Sequence, residues 1–205
     1  MIRRHMTGWL LLSTLSLVGC RSAPAEHYYV VVQAEVAPVA GSTRSTGLRL
    51  GIAPFSVDSP YDEDQLVYRV GRDSPEVAFY SHHRWAAPLQ DQLQLAAATA
   101  FLDLPGVAST GPLGIDRDYD AVLLGRLLYL EELDVPEEQI ARIGIELILI
   151  NRHNQQIWSQ AVSAHVGGQA ADVPTIVRQM SRALQEALGK ARPGLNAAIA
   201  KLENR

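Results

Sequence analysis

The sequence predicts an α/β (α+β) fold: a mixed, largely antiparallel sheet with two principal amphipathic helices packed on it, in the order strands, helix, strands, helix. Three observations carry this expectation. Runs rich in β-branched, aromatic and alternating apolar residues recur before residue 81 and again between residues 120 and 166. Between these blocks and after them, the apolar spacing changes to that of a helix, first from Leu89 to Leu104 and then from Ile176 to Leu188. Turn-forming residues punctuate the strand runs at Asp58 to Asp64, Gly71 to Pro75 and Arg152 to Gln155.

Taken in order, Tyr28 to Val32 reads as a strand from its aromatic and β-branched content, and Ala37 to Thr46, with Pro38 and Gly41, reads as a loop. Leu48, Leu50 and Ile52 alternate with Arg49 and Gly51, which is the period of a half-buried strand, and Pro54 limits it to an edge or an end. Gln65 to Val70 and Glu76 to Tyr80 flank a tight turn and are expected to form a hairpin. Pro88 suits a helix's first turn; Leu89, Leu93, Ala96, Ala97, Ala100, Phe101 and Leu104 make one apolar face, and Pro105-Gly106 ends it. A short strand is expected at Val107 to Thr110, then longer ones at Asp120 to Leu133, Ile140 to Asn151 and Gln156 to Val166. In the first of these long strands, Val122, Leu124, Leu128 and Leu130 are expected to share one side. Asp172 is placed as the N-cap of the last helix, with Gly189 and Pro193 interrupting it before Leu195, Ala198, Ile199 and Leu202 resume the pattern.

The N-terminus reads as a targeting device. Arg3 and Arg4 precede an apolar run, Trp9 to Leu12 and Leu15 to Val18, too short for the ~20 residues of a spanning helix. It ends in Leu17-Val18-Gly19-Cys20, which resembles a bacterial lipobox and contains the chain's single cysteine. By that resemblance Cys20 is lipidated and the leader is cut before it. Residues 1–19 are then the signal peptide, 20–27 a lipidated tether, and 28–205 one periplasmic domain with a C-terminal helical extension from about residue 193. One cysteine allows neither an internal disulfide nor a cysteine-based metal site. The chain has 18 Lys and Arg against 22 Asp and Glu, a net charge of −4, and loss of Arg3 and Arg4 makes it more acidic. That balance argues against nucleic acid, and lysine occurs only at Lys190 and Lys201, so no polybasic patch serves anionic headgroups.

From Pro54 to Leu102 the chain resembles the ABC-type transport auxiliary lipoproteins, the PqiC-like family. The residues that carry the resemblance are Ile52-Ala53-Pro54-Phe55, the acidic turn at Tyr61-Asp62, the strand Gln65 to Arg69, and then Tyr80, Arg84-Trp85 and Pro88. Asp120 to Arg126 and Asn154 to Ile157 agree more loosely, and His82-His83 is not part of the family pattern. The resemblance implies a lipoprotein facing the periplasm and accessory to a system that moves lipids or other hydrophobic molecules; Arg21-Ser22 after Cys20, in place of an aspartate that resembles an inner-membrane retention signal, points more toward the outer than the inner membrane. Its implied partners are an MCE-domain periplasmic protein with its ABC permease and ATPase, and the membrane through the acyl anchor. Edge strands near Pro54 and the helix beyond Pro193 are the expected contacts of a homo-oligomer. Tyr80, Arg84, Trp85 and Pro88 are the expected structural and docking motif. A second reading is an outer-membrane assembly or envelope-integrity lipoprotein of the LptE or TolB-amino-terminal kind, which shares a similar order of strands and helices.

No enzyme is expected. Gly-x-Ser-x-Gly and the phosphate-loop pattern are both missing, and Cys20 is used by the lipid. His82 and His83 are the one dense polar-aromatic candidate, read as solvent-facing on a strand-to-helix connection while Arg84 and Trp85 pack the strand end. His153 and His165 lie elsewhere, and Asp116, Asp118 and Asp120 lack the Gly and distal Glu of a calcium loop. No cofactor, metal or catalytic residue is therefore assigned.

Overall fold

The computed structural model describes residues 24–31, 47–113, 118–136, 138–169 and 172–203. In chain order the elements are β1 (His27–Tyr29), β2 (Leu48–Ile52), β3 (Ser56–Val57), β4 (Gln65–Val70), β5 (Ala78–Trp85), α1 (Leu89–Phe101), β6 (Val107–Pro112), β7 (Ala121–Val135), β8 (Glu138–Asn151), β9 (Gln156–Gly168) and α2 (Val173–Glu203). The expected class and order hold. Cys20, the lipobox, Val32, the 37–46 loop and Asp116 lie outside the described residues.

Strand β7 organises the sheet. One edge pairs antiparallel with β8 along its length, and β8 pairs antiparallel with β9 through the Arg152 to Gln155 turn. The other edge receives three short parallel strands in succession: β2 sets Leu50 against Ala121, β3 sets Ser56 against Arg126, and β4 sets Tyr68 against Glu132. Beyond β2 lies β6, and beyond β4 lie β5 and then β1, so the sheet forks on that side. The long antiparallel ladders hold most of the paired residues, and the shorter ladders are mainly parallel.

Helix α2 lies along β8 and β9, α1 lies on the β2–β6 side, and the two touch. Arg192 joins them, donating to the Ala100 carbonyl and to Asp103 at 2.8 Å. Leu93, Ala97 and Phe101 of α1 and Ile176, Met180, Ala183, Ala187 and Leu195 of α2 are fully buried with Leu50, Ile52, Leu123 and Ile145 of the sheet in one core. Two glycines permit close packing across it. A Cβ at Gly125 would collide with the Phe55 ring, and one at Gly144 with the Tyr129 ring.

Several expectations are corrected. Pro54 follows the end of β2, one of the two places expected, but β2 pairs on both sides, with β6 and β7, so the edge expected near Pro54 as a contact between copies is already occupied. In the first half of β7 the buried positions are Ala121, Leu123, Gly125 and Leu127 while Val122, Leu124 and Leu128 are partly exposed; beyond it Leu130 is buried, so the four residues expected on one side are split. A bulge between Leu127 and Tyr129 inserts a residue and shifts the alternation. Helix α2 runs unbroken through Gly189 and Pro193. The proline ring is directed at the carbonyl four residues earlier, which belongs to Gly189, where no side chain restricts the backbone. Leu195, Ala198 and Ile199 beyond it remain buried, a packing gain that outweighs one missing hydrogen bond. Asp172 does cap this helix, its carboxylate accepting the Thr175 N–H at 3.0 Å.

Candidate functional site

The fork in the sheet leaves a cleft of about 250 Å³ where β5 ends and α1 begins. Its lining includes Val57, the acidic turn Asp62 to Asp64, Trp85 and Pro88. The walls are fixed by backbone bonds: Trp85 N–H donates to the Asp64 carbonyl at 2.6 Å, and Ala86 N–H to the Tyr29 carbonyl at 2.7 Å. Trp85 is 6 % exposed and joins the core, while Pro88 occupies the N-cap position of α1. Asp62 and Glu63 are exposed at the rim. The cleft is therefore an apolar floor under an acidic lip.

Beside it, β1 is clipped onto β5. Arg84 bridges Glu26 at 2.9 Å and Asp64 at 2.8 Å, and Glu26 also meets His82 at 3.2 Å. His82 and Arg84 in that order hold the Glu26 carboxyl below its usual range. The His83 ring stacks on His27 with centroids 5.1 Å apart, and its Nδ1 forms a 2.9 Å hydrogen bond with Tyr29 Oη. Burial, then the neighbouring His27 and His82, push the His83 imidazole down. The two histidines thus lie within β5 and face β1, which corrects their placement on a solvent-facing connection.

Behind the hairpin stand two adjacent glutamates on opposite faces of β7, both with no exposed surface. Glu131 accepts from Tyr61 Oη at 2.7 Å, from Arg69 at 3.2 and 3.3 Å, and from Arg142 Nε at 2.8 Å as well as its Nη2. Burial raises its pKa, but those donors outweigh burial and hold it below the usual carboxylate range. Burial, then the bond to Glu131, pushes the Tyr61 phenol up to about 12. Glu132 has one partner, Tyr80 Oη at 2.5 Å, and no partner on Oε1 among the described residues. Burial raises its pKa, and the single phenol does not offset that.

The motif Tyr80, Arg84, Trp85 and Pro88 is therefore divided. Trp85 and Pro88 line the cleft and Arg84 ties its acidic turn to β1, while Tyr80 serves Glu132 and packs against Tyr68 and His83. Asp118 and Asp120 are engaged by Arg49, and Asp120 also by Arg152. Among the described residues no three His, Cys, Asp or Glu side chains converge on a point that could hold a metal. Sequence reading missed Glu131, Glu132, Arg69 and Arg142. A pair of acidic residues inside an apolar strand of fifteen residues was the available signal.

Comparison with known proteins bears on residues 29–190, which match a family model described as the ABC-type transport auxiliary lipoprotein component. The crystal structure of a Xanthomonas campestris protein of the family DUF330 superposes with a TM-score of 0.67 at 17% identity, covering 78% of this chain and 89% of that one. A second crystal structure, of an uncharacterized protein, gives 0.65 at 14% identity, covering 84% of this chain and 99% of the other. At these identities the likeness establishes the shared fold. No curated protein matches the chain in sequence.

Proposed function

The chain belongs to the ABC-type transport auxiliary lipoprotein component family, and on that premise we propose that it docks a periplasmic MCE-domain protein of a lipid-moving ABC system while held to the membrane by lipid on Cys20. The observation that supports this best is the family match across residues 29–190, which takes in strands β2 to β9, the Trp85 cleft, α1 and the first part of α2. It is joined by Leu17-Val18-Gly19-Cys20 behind a basic, apolar leader. Among the described residues no helix is long and apolar enough to cross a membrane, so attachment in this reading rests on the acyl chains.

In this reading the domain, residues 28–205, has no turnover of its own and contributes a surface. The cleft beside Trp85 and Pro88 is the docking element, because its backbone walls are pinned and its rim carries the uncovered acids Asp62 and Glu63. Arg84 keeps that wall in place by joining the acidic turn to β1. Arg21-Ser22 after the cysteine, in place of an aspartate, favours the outer membrane.

Purification of the lipidated full chain from membranes, with a candidate MCE protein, permease and ATPase of the same organism co-expressed, tests this. The expected result is recovery of the MCE protein, reduced at least tenfold by Trp85→Ala or by Asp62→Lys with Glu63→Lys. Recovery of lipopolysaccharide-assembly machinery without any MCE protein would favour the LptE-like or TolB-amino-terminal-like reading. Hydrolysis of lipid or glycan by the purified protein, lost in His82→Ala or His83→Ala, would overturn both.

A further inference from the structure

His27, His82 and His83 meet where the first strand joins the sheet. Strand β1 has three residues and, among the described residues, pairs only with β5, setting His27 against His83 and Tyr28 against Arg84. So short a ladder depends on its side chains. On one face Glu26 holds Arg84 at 2.9 Å and His82 at 3.2 Å. On the other, the His83 ring stacks on His27 at an interplanar angle of 15°, bonds through Nδ1 to Tyr29 Oη, and stands edge-on to Tyr80 at 5.5 Å. Just past β1 the chain is pinned again, because Val31 is buried and its N–H donates to Gln92 Oε1 at 2.7 Å.

We propose that this clip is acid-labile: protonation of His83 and His27 frees Pro24 to Val30 from β5 and leaves Val31 as the hinge. Two imidazolium rings with centroids 5.1 Å apart repel, and a ring with both nitrogens protonated accepts nothing from Tyr29 Oη. Burial and the neighbouring His27 and His82 already hold the His83 pKa below its ordinary 6.5. The contribution of His83 to the clip is therefore complete above that value and is lost as pH falls from it through the folded pKa.

The other charged and titratable groups around the ring do not reverse this. Glu26 draws protons toward the cluster, but its carboxyl already serves Arg84, and its contact with His82 is exposed enough that ion pairing contributes little. Arg84 is in turn paired with Asp64. Asp172 of α2, whose charge reaches Tyr29, accepts the Thr175 N–H. Tyr80 is itself bonded to Glu132 of β7 and packed on Tyr68 of β4. Extended, Pro24 to Val30 spans roughly 25 Å. Its release lengthens the tether in acid, a use that rests on the reading that Cys20 carries lipid; the opening itself does not.

Hydrogen–deuterium exchange of the purified full chain at pH 7.5 and 5.0, corrected for the intrinsic pH dependence of exchange, tests this. Two stretches report on the clip: residues 26–31, and residues 82–86, whose Ala86 N–H donates to the Tyr29 carbonyl at 2.7 Å. One imidazole of ordinary pKa 6.5 that takes no proton while clipped sets a ceiling of about 30-fold on the extra opening at pH 5.0. The expected loss of protection is about threefold or more in both stretches, with no matching loss in β7 and β8. His83→Phe keeps a ring against His27, lacks the Tyr29 bond at both pH values alike and takes no proton, so the loss is expected to vanish. His27→Gln is expected to reduce it by roughly half, since one of the two charges is gone, and Cys20→Ala to leave it in place. No loss in the wild type, an equal loss in β7 and β8, or a full loss persisting in His83→Phe would overturn the proposal. Should His83→Phe not fold, a full loss persisting in His27→Gln would do the same.

Discussion

Replacing the two adjacent glutamates of β7 one at a time exposes how differently they are held. Glu131→Gln removes a charge that faces Tyr61 Oη at 2.7 Å, Arg69 at 3.2 and 3.3 Å and Arg142 Nε at 2.8 Å. Breaking a buried ion pair by deleting one partner costs about 3–5 kcal/mol. The side chains of Arg69 and Arg142 keep 16% and 32% of their exposure, so water recovers part of their solvation. The expected loss is at the low end, about 3 kcal/mol, or a fall in Tm of about 6–12 °C for a domain of this size. Glu132→Gln keeps a carbonyl for Tyr80 and removes only the ionisation. Glu131 has a folded pKa below its ordinary 4.5, so its contribution is present above that value and fades as pH falls through the folded pKa. Glu132 has a folded pKa above 4.5, so its contribution is present below that value and is lost as pH rises through the folded pKa. Urea unfolding of the detergent-purified chain, followed by circular dichroism from pH 2 to 9, reads both. Glu131→Gln should be the least stable protein at neutral pH and approach wild type in acid, whereas Glu132→Gln should gain on wild type as pH rises. Parallel profiles for the two variants, or a Glu132→Gln protein weaker than wild type at pH 8, would refute the opposite shifts assigned to the two carboxyls.

Two further outcomes are expected. Trp85→Ala empties a 6 % exposed site in the core and should cost about 3–5 kcal/mol; an unchanged urea midpoint would place the ring outside the core. Cys20→Ala should abolish labelling by a clickable fatty acid and release the protein from membranes, since each buried acyl methylene contributes about 0.8 kcal/mol; equal labelling of variant and wild type would remove the anchor from the account.

Where local rules govern, the sequence was a sound guide. Strand β4 begins and ends at Gln65 and Val70 as expected, α1 spans the predicted face, and Asp172 caps α2. Each depends on neighbours in the chain. The misreadings all turn on contacts between distant residues or on a break in period. Val122, Leu124, Leu128 and Leu130 were expected on one side because an unbroken alternation was assumed, and the bulge after Leu127 separates Leu130 from the others. Pro193 reads as a helix breaker until Leu195 and Ile199 are seen buried beyond it. His82 and His83 read as solvent-facing because their partners, Glu26, His27 and Tyr29, are more than fifty residues away. The site shows the same division. Trp85 and Pro88 stand out as uncommon residues in a recognisable order, whereas Glu131 and Glu132 acquire meaning only when Tyr61, Arg69, Arg142 and Tyr80 converge on them.

The succession of β2, β3 and β4 along one edge of β7 has a kinetic consequence. Their partners in β7 lie more than sixty residues downstream, as in Leu50 with Ala121 and Tyr68 with Glu132. A chain threaded across a membrane from its N-terminus delivers those three strands well before the template that orders them. Loop closure over such spans is slow, and unpaired strands are exposed to misassociation meanwhile. Productive folding therefore begins with the local β7–β8–β9 meander, and the N-terminal half is recruited onto it afterwards. In a lipid-tethered protein, that leaves the segment nearest the bilayer as the last to find its place.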